Sequence, residues 1–236
     1  SFAISVVLIA TTALLPPLLQ RIMGFPTVTT GLVLAPRGIG TMVAMLLVGR
    51  LLRFIDPRLI IVVGLGFTAW GLWGMTGFTA EMDSWPVIYT GVSMGFGLGL
   101  VFVPMSTVGF ATLPSELRTE SAALFSLVRN IGSSIGISMV SVVLTRNIQV
   151  NHAELAERMT VFSPSVDAAA QAVGMSAGSG PFAAVLDQIT TLQATMLAYV
   201  DDFQLMMSVS IAALPLVLLL RKPRTAPQGP VIPDAD

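Results

Sequence analysis

The 236-residue sequence is 54% hydrophobic and 11% charged, with a mean hydropathy of +0.83, whereas a soluble domain is about a quarter charged. Such a chain is a membrane protein, and a net charge of −1 without a broad basic face leaves nucleic acid nothing to bind. With no cysteine and a single histidine, disulfides, thiolate metal sites and imidazole clusters are excluded.

Six apolar stretches of about 20 residues follow one another, each long enough to cross a bilayer as a helix. Ser1 already lies inside the first, with no initiator methionine and no basic leader, so no signal peptide is expected and the chain reads as a fragment. This first span, Phe2 to Leu19, carries Pro16 and Pro17 near its end, where lost helix hydrogen bonds bend or loosen it. Gln20, Arg21, Gly24 and Pro26 turn the chain into the second span, Thr30 to Leu52. There Arg37 follows Pro36 inside oil, and a charge at the bilayer centre costs from about 2.5 to well over 10 kcal/mol. It either lines a polar path or stretches to the headgroups. A tight polar loop, Gly49 to Arg58, overlaps the end of this span and holds Arg50, Arg53, Asp56 and Arg58.

Leu59 to Phe78 forms the third span, with Trp70 and Trp73 toward its exit as interfacial anchors, and Glu81, Asp83 and Ser84 make the next turn. The fourth, Trp85 to about Val108, places Gly91, Gly95 and Gly99 at intervals of four, a stripe that lets a neighbouring backbone approach closely, before Pro104 interrupts it. These glycines lie inside a hydrophobic span and not after a strand, so they form no phosphate cradle. Pro114, Ser115, Glu116 and Arg118 form a polar loop ahead of the fifth span, Ser121 to Leu144. On it Ser126, Arg129, Asn130, Ser133 and Gly136 recur at helical spacing, so one stripe faces a wet interior instead of lipid.

Residues 1–146 thus hold five spans, and 147–199 are expected as a long extracytoplasmic loop, flexible at Ser176 to Pro181. Within it Phe182, Val185, Leu186, Ile189, Leu192, Met196 and Val200 fit one face of an amphipathic helix that lies at the interface or runs into the last span. Residues 200–222 contain that span, and 223–236 a disordered cytoplasmic tail. Arg50, Arg53, Arg58, Arg118, Arg221, Lys222 and Arg224 fall on one side, against Arg21, Arg146 and Arg158 on the other. The richer side is usually cytoplasmic, which puts the C-terminus inside and the long loop with His152, read as an ordinary loop residue, outside.

Several stretches together resemble the major facilitator superfamily, in its fourteen-span drug/proton antiporter branch of the EmrB/QacA type. LPPLLQ at Leu15 to Gln20, then GFP and TTGLVLAPRGIG, is similar to the first helix pair of that branch's C-terminal half. GRLLRFIDPR looks like the superfamily's cytoplasmic loop signature, carried here by Gly49, Arg50, Asp56 and Arg58. LPSELRTESAALFSLVRNIGSSIGIS resembles the penultimate span, and AYVDDF the start of the last. The resemblance implies an all-α polytopic fold, six transmembrane helices in one bundle, with the N-terminal half of the transporter missing from this sequence. Arg53 and Phe54 stand where the family commonly has an aspartate and an arginine. The loop's usual acid is therefore lacking, and either Asp56 substitutes as partner for Arg50 or Arg58 or these arginines only fix topology.

The implied activity is proton-coupled efflux of lipophilic or amphipathic molecules across the plasma or inner membrane, with no catalysis, cofactor or metal. Its partners are the bilayer, the small-molecule substrate, protons and the other half. Gln20, Arg37, Arg129 and Asn130 are candidates for cavity polarity, or else for contacts between helices. Asp201 and Asp202, adjacent at the start of the last span, can accept a proton near neutral pH or simply form a solvated helix start. The alternative is a non-transporting six-helix membrane scaffold or lipid-binding partner.

Overall fold

The computed structural model describes residues 2–110, 118–158 and 180–218. They form helices α1 (Phe2–Pro17), α2 (Thr27–Leu51), α3 (Pro57–Met75), α4 (Ser84–Phe110), α5 (Arg118–Arg158) and α6 (Gly180–Leu218), with a π-helical turn, Leu18–Ile22, after α1. The described residues contain no strand. Five of these helices are long and apolar enough to cross a membrane. The sixth, α1, ends at the pair Pro16 and Pro17, which removes two amide donors, and the chain continues in the wider π turn.

Local chemistry sets the turns. Gly24 takes φ +69°, a left-handed conformation that a side chain would resist, and Phe25 N–H then reaches back to Leu19 O at 2.9 Å. Pro57 opens α3, where its missing donor costs nothing, and the Asp56 carbonyl accepts from Leu59 N–H at 3.0 Å.

The two long helices differ from the expected division at 146. α5 runs on to Arg158, so residues 147–158 are helix, not loop, while the helix expected from Phe182 is the first part of α6, which begins at Gly180 and runs unbroken into the last span. A fall in hydropathy signals water, not the end of a helix. The i to i−4 ladder continues wherever helix formers and a packing partner are present, and here α5 and α6 pack on each other. On the expected amphipathic face of α6, Phe182 and Met196 are buried, Val185, Leu186, Leu192 and Val200 are half-buried and Ile189 is exposed, while Thr190, Ala194 and Ala198 beside it are buried. The turn at 114–116, the centre of the long loop up to residue 179 and the tail with Arg221, Lys222 and Arg224 lie outside the described residues.

α4 is the hub. It packs between α2 and α3; α3 in turn meets α6, and α1 lies against α5 and α6. The largest core cluster draws Val7 and Leu15 from α1, Val33 from α2, Leu72 from α3, Met94 from α4, Val140 from α5 and Phe203 and Met206 from α6. Glycines bring the hub close to both neighbours. A Cβ on Gly95 would strike the Arg37 carbonyl of α2, and one on Gly97 would lie 2.5 Å from the Gly64 carbonyl of α3. Thr41 Oγ1 bonds across the first seam to Gly95 O at 3.0 Å. In lipid, where burying apolar surface between helices gains little, such close approach supplies the cohesion.

This packing predicts that Gly95→Ala or Gly97→Ala lowers stability by about 1–3 kcal/mol through overpacking. Gly38→Ala, with open space around its Cβ, should leave the melting temperature in detergent unchanged.

Candidate functional site

α5 carries a polar strip over most of its length. At about 100° per residue, Asn130, Ser134, Ser138, Ser141 and Thr145 fall within a strip roughly 80° wide, and all five are exposed. The buried residues Gly132, Gly136 and Val140 occupy the far side, where a Cβ on Gly136 would come within 2.9 Å of Val6 on α1. Glycine thus docks one face of α5 into its own bundle and turns the hydroxyls and amide outward. Ser138, Ser141, Val142, Thr145, Arg146 and Gln149 line a depression of about 440 Å³ on that outward face.

The stripe expected from sequence divides accordingly. Ser126 and Asn130 face outward, Gly136 faces α1, and Ser133 donates to Arg129 O at 2.8 Å. The continuation through Ser134, Ser138, Ser141 and Thr145 was missed, although its three- and four-residue spacing is legible in the sequence.

The cationic candidates sit at different depths. The Arg129 guanidinium lies 5.6 Å from the Phe102 ring centroid of α4, a cation–π contact worth about 0.5–2 kcal/mol. Arg37 is half-buried at the α2–α4 seam, its carbonyl accepting from Thr41 Oγ1 at 3.1 Å and its Cβ facing Gly91. Measured along α4, Phe102 and the pair Gly91 and Gly95 are roughly 10–16 Å apart, so the two arginines do not share a pocket. Gln20 is exposed on the π turn.

The acidic pair is split by burial. Asp201 accepts from Asn151 Nδ2 of α5 at 3.4 Å. Asp202 is 0% exposed, and neither carboxylate oxygen has a hydrogen-bond partner among the described residues. Buried threonines solve the same problem locally: Thr11, Thr68 and Thr90 each donate to the carbonyl four residues earlier. His152 is on α5, not in a loop, with Nε2 3.1 Å from Asp187 Oδ1 of α6. Of the loop expected over Gly49 to Arg58, Gly49 and Arg50 belong to the last turn of α2, where both are exposed, and Pro57 and Arg58 to the first turn of α3; Asp56, between the helices, is half-buried. Arg58 has Nε and Nη2 buried without a hydrogen-bond partner among the described residues. The described residues contain no group of three or more acids or histidines able to hold a metal ion. Between α3 and α4 an apolar groove of about 830 Å³ is walled by Phe67, Trp70, Trp73, Trp85, Tyr89 and Phe96.

The family model of the Major Facilitator Superfamily matches residues 1–137. Similar proteins include the fatty acid resistance protein FarB of Neisseria gonorrhoeae, 26% identical over 92% of this chain and 43% of its own length. The probable multidrug resistance protein EmrY of Escherichia coli K12 is 26% identical over 90% of this chain and 42% of its own. A multidrug resistance protein B homolog of Mycobacterium tuberculosis is 33% identical over 60% of this chain and 26% of its own. The chain therefore spans less than half the length of these relatives.

Two outcomes are expected. Because the chain has no cysteine of its own, single cysteines at positions 134, 138 and 141 should react with a water-borne maleimide, while those at 132, 136 and 140 should not. A double-mutant cycle of Arg129→Ala with Phe102→Leu, read by thermal unfolding, should return a coupling of about 0.5–2 kcal/mol.

Proposed function

Since the chain belongs to the major facilitator superfamily, we propose that it is the C-terminal half of a proton-coupled exporter of lipophilic or amphipathic small molecules. The observation that carries this reading is the polar strip of α5, exposed on the face opposite the helix's own bundle. Thr145 Oγ1 donates to Ser141 O at 2.9 Å, but in hydrocarbon the Asn130 amide and the hydroxyls of Ser134, Ser138 and Ser141 would have no water to bond. Facing a water-filled cleft against a second bundle, they are at home. The complementary half is the natural second bundle, consistent with the greater length of the relatives. The names of those relatives, fatty acid resistance and multidrug resistance, point to the substrate class.

In this reading the two bundles rock about the cleft, opening it to one side and then the other. Apolar walls hold the substrate, and Arg37, Arg129, Asn130 and Gln20 offer polarity at successive depths. Asp201 and Asp202 supply the proton site. Gly49, Arg50, Asp56 and Arg58, around the turn from α2 into α3, lie on the cytoplasmic side of the plasma or inner membrane, with the C-terminal tail on that same side. The outer parts of α5 and α6, within residues 147–199, stand on the opposite side. A second reading, a non-transporting scaffold or lipid-binding partner, draws on the apolar groove between α3 and α4, whose exposed tryptophans suit the membrane interface.

The deciding experiment is efflux from proteoliposomes carrying the full-length transporter. Dissipating an inward proton gradient should reduce efflux to passive leak. Efflux that persists unchanged refutes proton coupling, and a gradient that never drives transport favours the scaffold.

A further inference from the structure

Among the described residues Asp202 is the one charged side chain that is fully buried. It shares a helix face with Ala198, Tyr199 and Met206, all buried, and the thioether of Met206 is already engaged by Thr11 Oγ1 of α1 at 3.5 Å. The next residue, Phe203, packs edge to face on Phe78 of the segment between α3 and α4, with ring centroids 6.0 Å apart. The charged groups nearby are few. Asp201 is adjacent on α6, and Arg21 belongs to the π turn, which packs against α6. α5 contributes Asn151 at Asp201, with His152 engaged by Asp187 and Glu154 exposed. An ionised Asp202 in this arrangement is a buried charge without a donor, which strongly disfavours the charged form.

One turn further along, a second feature leads to the same place. Asn151, Glu154, Leu155 and Leu197 enclose a partly polar cavity of about 130 Å³ between α5 and α6, room for a few water molecules. Asn151 both lines this cavity and holds Asp201, and Asp201 adjoins Asp202. The partly polar cavity, a half-buried carboxylate and a sealed carboxylate follow in sequence.

We propose that Asp202 carries the transported proton and that the proton reaches it through the α5–α6 cleft, by way of Asp201 held by Asn151. This rests on the proton-coupled reading above. The proton leaves a water in the cleft, binds a carboxylate oxygen of Asp202, and departs to water on the other side once α6 has shifted against α1 and α5. No other bond changes. Coupling arises because the ionised and protonated forms of Asp202 favour different arrangements of α6, so a proton biases the equilibrium between them.

The test uses the full-length transporter in proteoliposomes with ethidium and oleate as probes, measured both as gradient-driven efflux and as exchange at equal concentrations without a gradient. Asp202→Asn should lower driven efflux at least about tenfold while exchange persists. Asp201→Asn and Asn151→Ala should slow driven efflux by a smaller factor, and Glu81→Gln, exposed between α3 and α4, should not change it. Driven efflux undiminished in Asp202→Asn overturns the proposal but leaves proton coupling standing. Efflux insensitive to the gradient in the unsubstituted protein overturns both. Should Asp202→Asn fail to fold, carbodiimide labelling of the unsubstituted protein decides: an adduct at Asp202 that fades with rising pH supports the site. Its absence from about pH 5 to about 9 refutes it.

Discussion

In hydrocarbon no water is at hand to satisfy a stray polar group, so every hydroxyl, amide and charge must find its partner within the protein or face a wet cleft. Most of the architecture follows from that condition. Thr11, Thr68 and Thr90 are buried and fold their hydroxyls back onto the preceding turn. Arg129 lies against the ring of Phe102. Asp202 uses neither solution: it is buried, and its carboxylate oxygens have no hydrogen-bond partner among the described residues.

Cohesion between helices meets the same solvent from the other side. Lipid tails compete on equal terms with apolar side chains, so helices gain from touching only where they touch very closely. α4 does this twice, with Gly95 against the Arg37 backbone and Gly97 against Gly64. One consequence reaches function: the seam that fixes α2 to α4 also fixes where the Arg37 stem leaves the backbone. The glycine at 136 does for α5 and α1 what Gly95 does for α4 and α2, and thereby decides which way the polar strip looks.

The chain's two long helices show how far pattern reading extends. Ser126 and Asn130 are both exposed on α5, and helical spacing alone places them on one side. Gly136 was placed on that stripe too, although it packs on α1. A glycine has no side chain to signal its surroundings, and only a neighbouring backbone at contact distance reveals its side. Similarly, the polar residues after Arg146 indicated water but not coil, and α5 continues through them to Arg158.

By itself the sequence determined that the chain belongs in a bilayer, that it is helical, roughly where its spans lie and which family it resembles. Those properties depend on composition and on local periodicity, which need no knowledge of distant residues. Only the tertiary structure decided that Asp201 and Asp202, alike as neighbours in sequence, have different surroundings. It also decided that Arg37 and Arg129 stand at separate depths, and that α5 turns its hydroxyls away from α1. Burial and contact arise from segments far apart in the chain, and a side chain's partners are set by helix packing that no local window contains.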